Sequence, residues 1–194
     1  MSKQDNPVEG WHRIAYEKPF GFDAQSAREM NDALSVLLSE EQIFRVDHFL
    51  GKKATMAFPA ARMLEESFND LWRNGDIESI QVIVSETAGI RDRGVYYDRY
   101  GVLKDMVQNH ILQIVALLLS DDPFFEYEIF AREKKKALHS LRIVDGVLGQ
   151  YKGYRAESAV IADSNTPTFA ALAFSSDMER WRGIPVFVKT GKML

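Results

Sequence analysis

Apolar residues alternate with polar ones near the start, recur at helical spacing through the middle and alternate again towards the end. Arg13-Ile14-Ala15-Tyr16 reads as a short strand that runs into Glu17-Lys18-Pro19-Phe20-Gly21, a hinge or site loop. Asp23 is placed to cap a helix whose Ala27, Met30, Leu34, Leu37 and Leu38 form one stripe, predicted to face a core. Ile43 and Phe44 read as the end of a buried strand. Ala54 to Trp72 is predicted mostly helical, with Pro59 either breaking it or starting its second half, and Asn74-Gly75-Asp76 ends it. Ile80, Val82 and Val84 make Ile77 to Glu86 a strand that delivers a carboxylate to its end.

Thr87 to Tyr100 carries Gly, Arg, Asp and Tyr without a helical stripe and is expected to be a long ordered loop. Gly101 to Leu119 is the most apolar helix candidate, expected to be deeply buried although it contains Asp105, Gln108, Asn109 and His110, which then need partners. Asp121-Asp122-Pro123 stops it, and Phe124 to Leu138 reads as a further helix whose Lys134, Lys135 and Lys136 form a solvated face. From Leu141 the pattern becomes sheet-like, with turns expected at Gly146, Gly149 and Gly153 and strands at Ala159 to Ile161, Phe169 to Phe174 and Pro185 to Lys189. Gly191-Lys192 reads as a strand-to-loop turn. The expected class is α+β, with helices packed on a largely antiparallel sheet.

Composition narrows the chemistry. The chain has 194 residues, enough for one good core or a piece of a larger protein, and is 46% hydrophobic and 27% charged. Its formal net charge of −4 comes with no basic block long enough to follow a nucleic-acid backbone, so no nucleic-acid partner is expected and any anion site is local. The absence of cysteine excludes disulfides and thiolate metal sites, and the histidines at 12, 48, 110 and 139 lack close ligand spacing, so no metal is expected. Met1 to Gly10 is polar, and no apolar run approaches a membrane span; the expectation is a cytoplasmic protein with no membrane partner.

The most charged constellation is Arg45-Val46-Asp47-His48-Phe49-Leu50-Gly51-Lys52. If Ile43 to His48 is extended, Asp47 and His48 point to opposite faces and serve different tasks. Gly51 permits a turn, and Lys52 near the start of the next helix would favour an anion, phosphate being the natural choice. A half-buried ion pair beside a solvated lysine is the alternative. Asp47 and His110 could form a carboxylate–imidazole dyad with His110 as general base, or His110 could be a buried histidine satisfied structurally. Lys18, Lys52, Glu86, Asp105 and Lys192 add a mixture of signs suited to a hydroxyl-rich anion such as a sugar phosphate.

Four segments in order, Glu17-Lys18-Pro19-Phe20-Gly21, Arg45 to Lys52, Asp105-Met106-Val107-Gln108-Asn109-His110 and Lys189-Thr190-Gly191-Lys192, resemble the signature series of the glucose-6-phosphate dehydrogenase family. The likeness runs from about Arg13 to the end and includes Tyr96-Tyr97-Asp98, Gly149-Gln150-Tyr151 and Arg180 to Pro185. It implies oxidation of the C1 hydroxyl of glucose 6-phosphate to a lactone, with hydride passed to NADP or NAD. By motif, His110 resembles the base and Asp47 the carboxylate that orients it. His48 and Lys52 resemble phosphate ligands; Lys18, Glu86, Asp105 and Lys192 resemble residues at the sugar hydroxyls and reacting end, Lys18 also serving the cofactor.

Two positions depart from the family pattern. Phe49 stands where a tyrosine is usual, so phosphate binding is expected to weaken by about 1.5–3 kcal/mol, the net worth of a charge-assisted hydrogen bond. Arg91 replaces an acidic residue. No two glycines are separated by a single residue, so the glycine-rich dinucleotide turn is not found here. The resemblance therefore implies a middle segment of the family, resembling an incomplete C-terminal domain: residues 1–12 a polar lead or residual linker, and 13–194 a substrate-binding and catalytic segment truncated at its C-terminal end. The complete enzyme is expected to be a homo-oligomer and the isolated chain inactive, with uncovered strand edges that favour association. The alternative is a non-catalytic glucose-6-phosphate-binding module or an assembly subunit.

Overall fold

The computed structural model describes residues 11–18, 20–122 and 127–194, and the chain divides into two compact units, the second beginning at Phe49. Pro19, Pro123 and the expected helix start at Phe124 lie outside the described residues.

In the first unit, β1 (Ile14–Glu17) pairs in parallel with β2 (Ile43–Val46), joined through α1 (Ala24–Leu37). Asp23 caps α1 as expected: its carboxylate accepts from the Ser26 backbone N–H at 2.8 Å, and the Ser26 hydroxyl accepts from the Asp23 N–H at 3.0 Å. The predicted core-facing stripe is not buried among the described residues, Leu37 being 78% exposed, because the two short strands of this unit do not cover it. β2 ends at Val46, so His48 lies in a turn rather than on extended chain, and alternation along a strand does not set its direction.

The second unit is built on a sheet of order β3 (Ile80–Glu86), β6 (Val186–Lys192), β5 (Phe169–Ser176) and β4 (Leu141–Gly149). Its β6–β5 and β5–β4 pairs are antiparallel and its β3–β6 pair is parallel, in an α+β fold. Alternation buries Ile80 and Val82, Val186 and Val188, and Ala170, Leu172 and Phe174 against Met106, Val107, Ile111, Val115 and Leu119. Each buried Val, Leu, Ile, Met or Phe side chain among them contributes about 1.5–3 kcal/mol of hydrophobic stabilisation.

Several boundaries differ from the pattern. Pro59 lies inside α2 (Lys53–Leu64), and the break comes at Glu65 before α3 (Glu66–Asn74), which Gly75 ends by donating to the Leu71 carbonyl at 2.7 Å. The expected loop from Thr87 contains α4 (Gly94–Val102): its tyrosines pack inward, Tyr97 fully buried against Tyr154, so its apolar face is aromatic rather than aliphatic. Gly101, at φ 60° and ψ 179°, bends the chain into a π-helical stretch, Leu103–Ile111, followed by α5 (Leu112–Leu119). The continuous run Arg91–Leu119 has the length and composition to cross a membrane, contrary to the sequence reading, but 56% of its most apolar window is buried inside the fold.

α6 (Tyr127–Ser140) leads directly into β4. Lys136 pairs with Asp121 at 2.9 Å on its exposed side. Gly146 is inside β4 rather than in a turn, beside a bulge between Ile143 and Asp145; a Cβ there would lie 2.7 Å from Leu172 Cδ2. Residues 159–161 form no strand, Ala159 having φ 61°. Arg91 is exposed with φ 50°, and nothing in the structure explains its replacement of an acidic residue.

Candidate functional site

In open parallel sheets ligands gather beyond the carboxyl ends of the strands. In the first unit that end carries the expected residues: Lys18 follows β1, and Asp47 and His48 follow β2. His48 Nδ1 lies 3.2 Å from Glu17 Oε1, tying the two strand ends together, with both side chains about half exposed.

In the second unit a turn precedes α2, closed by the Lys52 N–H donating to the Phe49 carbonyl at 3.3 Å. Lys52 is the N-cap residue of α2, as the glycine and lysine pattern implies. Phe49 packs against the core cluster, its ring stacked on the His110 imidazole with centroids 4.0 Å apart and planes tilted 23°. The Lys52 ammonium stands over the same ring, 3.5 Å from its centroid.

His110 and Asp105 are both buried on the π-helical stretch. Five residues apart, they would be rotated by about 140° in an α-helix. A π turn closes onto the fifth residue instead, as the Leu112 N–H does on the Val107 carbonyl, and this brings such a pair towards one face. Sequence periodicity assumes 3.6 residues per turn and cannot detect that change. The far end of the helical segment that carries His110 is clamped: Trp72 Nε1 donates to the Leu118 carbonyl at 2.9 Å, Trp181 Nε1 to Leu119 at 2.8 Å and the Arg62 guanidinium to Ser120 at 2.7 Å. These donors satisfy carbonyls that a helix end leaves open.

Lys192 is not in a turn. It is the last residue of β6, where the parallel register sets it opposite Glu86, and their side chains pair at 2.7 Å. The lysine side chain is 1% exposed and the glutamate 33%. Gly191 lets Leu194 and the Thr168 backbone pack close to the strand end, since a Cβ there would lie 2.9 Å from Leu194 Cδ1 and 3.2 Å from the Thr168 carbonyl oxygen. The Lys192 ammonium also lies 5.2 Å from the centre of the Tyr97 ring.

Asp105 accepts from the Tyr96 hydroxyl at 3.2 Å. Burial, reinforced by Asp105, pushes the Tyr96 phenol up to about 12, and burial with Asp105 and Glu86 raises Tyr97 further. Asp98 is the hub beneath them, accepting from Tyr154 Oη at 2.8 Å, from the Ser164 hydroxyl and from the Ile161 N–H. Although its own desolvation opposes this, these hydrogen bonds hold the Asp98 carboxyl below its ordinary value. The second unit thus brings together Phe49, Lys52 and His110, and separately Glu86 with Lys192. The part of Tyr96 and Tyr97 was not read from the sequence, although the Tyr-Tyr-Asp run ahead of Asp105 was its visible signal.

This α+β unit holds a buried imidazole on a π turn and a lysine at a helix start. The comparisons name the family. Residues 59–194 match the family model of the glucose-6-phosphate dehydrogenase C-terminal domain, and residues 1–56 match that of its NAD binding domain. The chain belongs to the glucose-6-phosphate dehydrogenase family. It is 40% identical over its whole length to cytoplasmic glucose-6-phosphate 1-dehydrogenase 6 of Arabidopsis thaliana, covering 38% of that protein. It is likewise 40% identical over its whole length to the chloroplastic enzyme of Spinacia oleracea, covering 36%. A solved glucose-6-phosphate dehydrogenase in complex with its substrate glucose-6-phosphate superposes with a TM-score of 0.84 at 38% identity, over 93% of this chain and 40% of that one. The chain therefore spans well under half the length of these relatives.

Proposed function

We propose that this chain supplies the sugar-phosphate-binding and proton-abstracting part of a glucose-6-phosphate dehydrogenase, which oxidises glucose 6-phosphate to 6-phosphogluconolactone with NADP in the pentose phosphate pathway. The observation that carries the reading is the buried His110, held on a π turn and against Phe49 in the unit that also offers Lys52 to an anion. His110 removes the C1 hydroxyl proton as the C1–H hydride leaves. Asp47, by its place in the matching motif, orients that base. His48 and Lys52 hold the phosphate; Asp105, Glu86 and Lys192 hold hydroxyls at the reacting end. Bound nicotinamide would supply the hydride acceptor. Lys18 is the residue of this chain assigned to it, and its position at the carboxyl end of a parallel strand fits that use.

Residues 13–194 are read as the substrate-binding and catalytic segment, of which the part up to residue 56 matches the NAD binding domain model and the part from residue 59 the C-terminal one. The protein is read as a cytoplasmic homo-oligomer that binds neither nucleic acid nor membranes. The test is calorimetric titration of the purified chain with glucose 6-phosphate, beside its melting curve. Saturable binding that raises the melting temperature, is lost in Lys52→Met and is retained in His110→Asn is expected. A cooperatively melting chain that takes up no glucose 6-phosphate overturns the reading.

A further inference from the structure

Phe49 is conspicuous at first for the hydroxyl it lacks, yet its ring makes two close contacts at once. The His110 imidazole lies nearly parallel to it at 4.0 Å, and the Lys52 ammonium stands 3.5 Å from its centre. Both groups therefore lie at contact distance from the same six-membered ring. The ring itself cannot drift. Phe49 packs against the main core, and the bond from Lys52 N–H to its carbonyl closes the turn.

We propose that Phe49 is a positioning residue for His110, its ring fixing the plane of the imidazole while also giving the Lys52 ammonium a resting place. A stacked imidazole keeps its ring edge, and hence its nitrogens, in one direction, which proton transfer requires. An ammonium over a ring face is attracted by the ring quadrupole, but a phosphate dianion is the stronger partner and draws it away. The phosphate position is then prepared by a lysine held close by. The assignment rests on the functional reading above for the identity of the anion, not for the stack.

The experiment uses the 194-residue chain with isotope-labelled histidine and lysine. The aromatic ring current moves the His110 ring protons and the Lys52 Cε protons upfield in the unliganded protein. In Phe49→Leu both return to ordinary positions, and in Phe49→Tyr both are upfield again. Lys52→Met leaves the His110 shift in place. Resonances that are unshifted in the parent chain, or shifts that survive in Phe49→Leu, overturn the proposal. Phe49→Tyr keeps the test decisive if Phe49→Leu folds poorly, because a tyrosine that leaves His110 unshifted also overturns it.

Glucose 6-phosphate and inorganic phosphate form the second arm. Either is expected to return the Lys52 signal to its ordinary position while His110 stays shifted. Phe49→Leu is expected to bind inorganic phosphate about two- to fivefold more tightly, since the ring no longer competes for the ammonium. Unchanged or weaker phosphate binding by a folded Phe49→Leu overturns the resting-place half of the proposal. Ring-current shifts with no response to either ligand uphold the stack and count against the functional reading instead.

Discussion

Lys192 and Glu86, 106 residues apart in sequence, meet at 2.7 Å because β3 and β6 run parallel with these two residues as register partners. The pair is asymmetric: the ammonium is enclosed, whereas water reaches the carboxylate. Glu86→Gln leaves a buried cation without its counter-ion and is expected to cost about 1–3 kcal/mol, less than a fully enclosed pair. Lys192→Met leaves a carboxylate that water can solvate, and is expected to cost about half as much or less. Urea denaturation of both variants checks the order; equal losses would mean that the carboxylate is as enclosed as the lysine.

Gly101 sets where the π-helical stretch begins. Its φ of 60° with ψ of 179° lies in a region open almost only to glycine, and a Cβ there would sit 2.9 Å from Thr166 Cγ2. Gly101→Ala is expected to lose about 2–4 kcal/mol and to disturb His110, which the same segment carries. Chemical denaturation gives the loss, and the His110 ring resonance reports the disturbance. A neutral substitution would show that the bend is not required.

Tyr96, Tyr97 and Tyr154 are all raised by burial first and by neighbouring carboxylates second. Tyr96, at about 12 when folded, binds a proton that the unfolded chain releases near pH 10. Its contribution to stability is therefore complete below about pH 10 and is lost as pH rises towards 12. Ultraviolet titration should find these phenols still protonated at about pH 11, with unfolding accompanying their ionisation. Ionisation of all seven tyrosines as one group near pH 10 in a folded chain would contradict this.

Phe49→Tyr tests the departure from the family pattern. A hydroxyl restored to this ring is expected to tighten glucose 6-phosphate binding by about tenfold or more, through one charge-assisted hydrogen bond. The stack on His110 should be unaltered, since the ring is retained. Calorimetry that shows equal affinities would place the ring edge away from the phosphate.

Much of this protein is local and was readable. Asp23 and Ser26 form a capping box through contacts three residues apart; Ile80 and Val82, like Val186 and Val188, alternate because a strand has period two. The four motifs in order indicated the family, and the polar residues within an apolar helix marked Asp105 and His110 as groups needing partners. Tertiary structure decided the rest. A stripe on α1 cannot reveal whether anything covers it, and tyrosines in α4 form a helix only because Tyr97 has Tyr154 to pack against. Gly191-Lys192 looked like a turn until its register partners, Ser85 and Glu86, extended the strand through it. The Phe49–His110 stack joins a turn to a distant helix, and the π turn alters the angular relation of Asp105 and His110 without changing a letter of sequence. Propensity, capping and alternation act over a few residues, whereas sheet register, side-chain stacking and helical winding are settled by the packing of segments far apart in the chain.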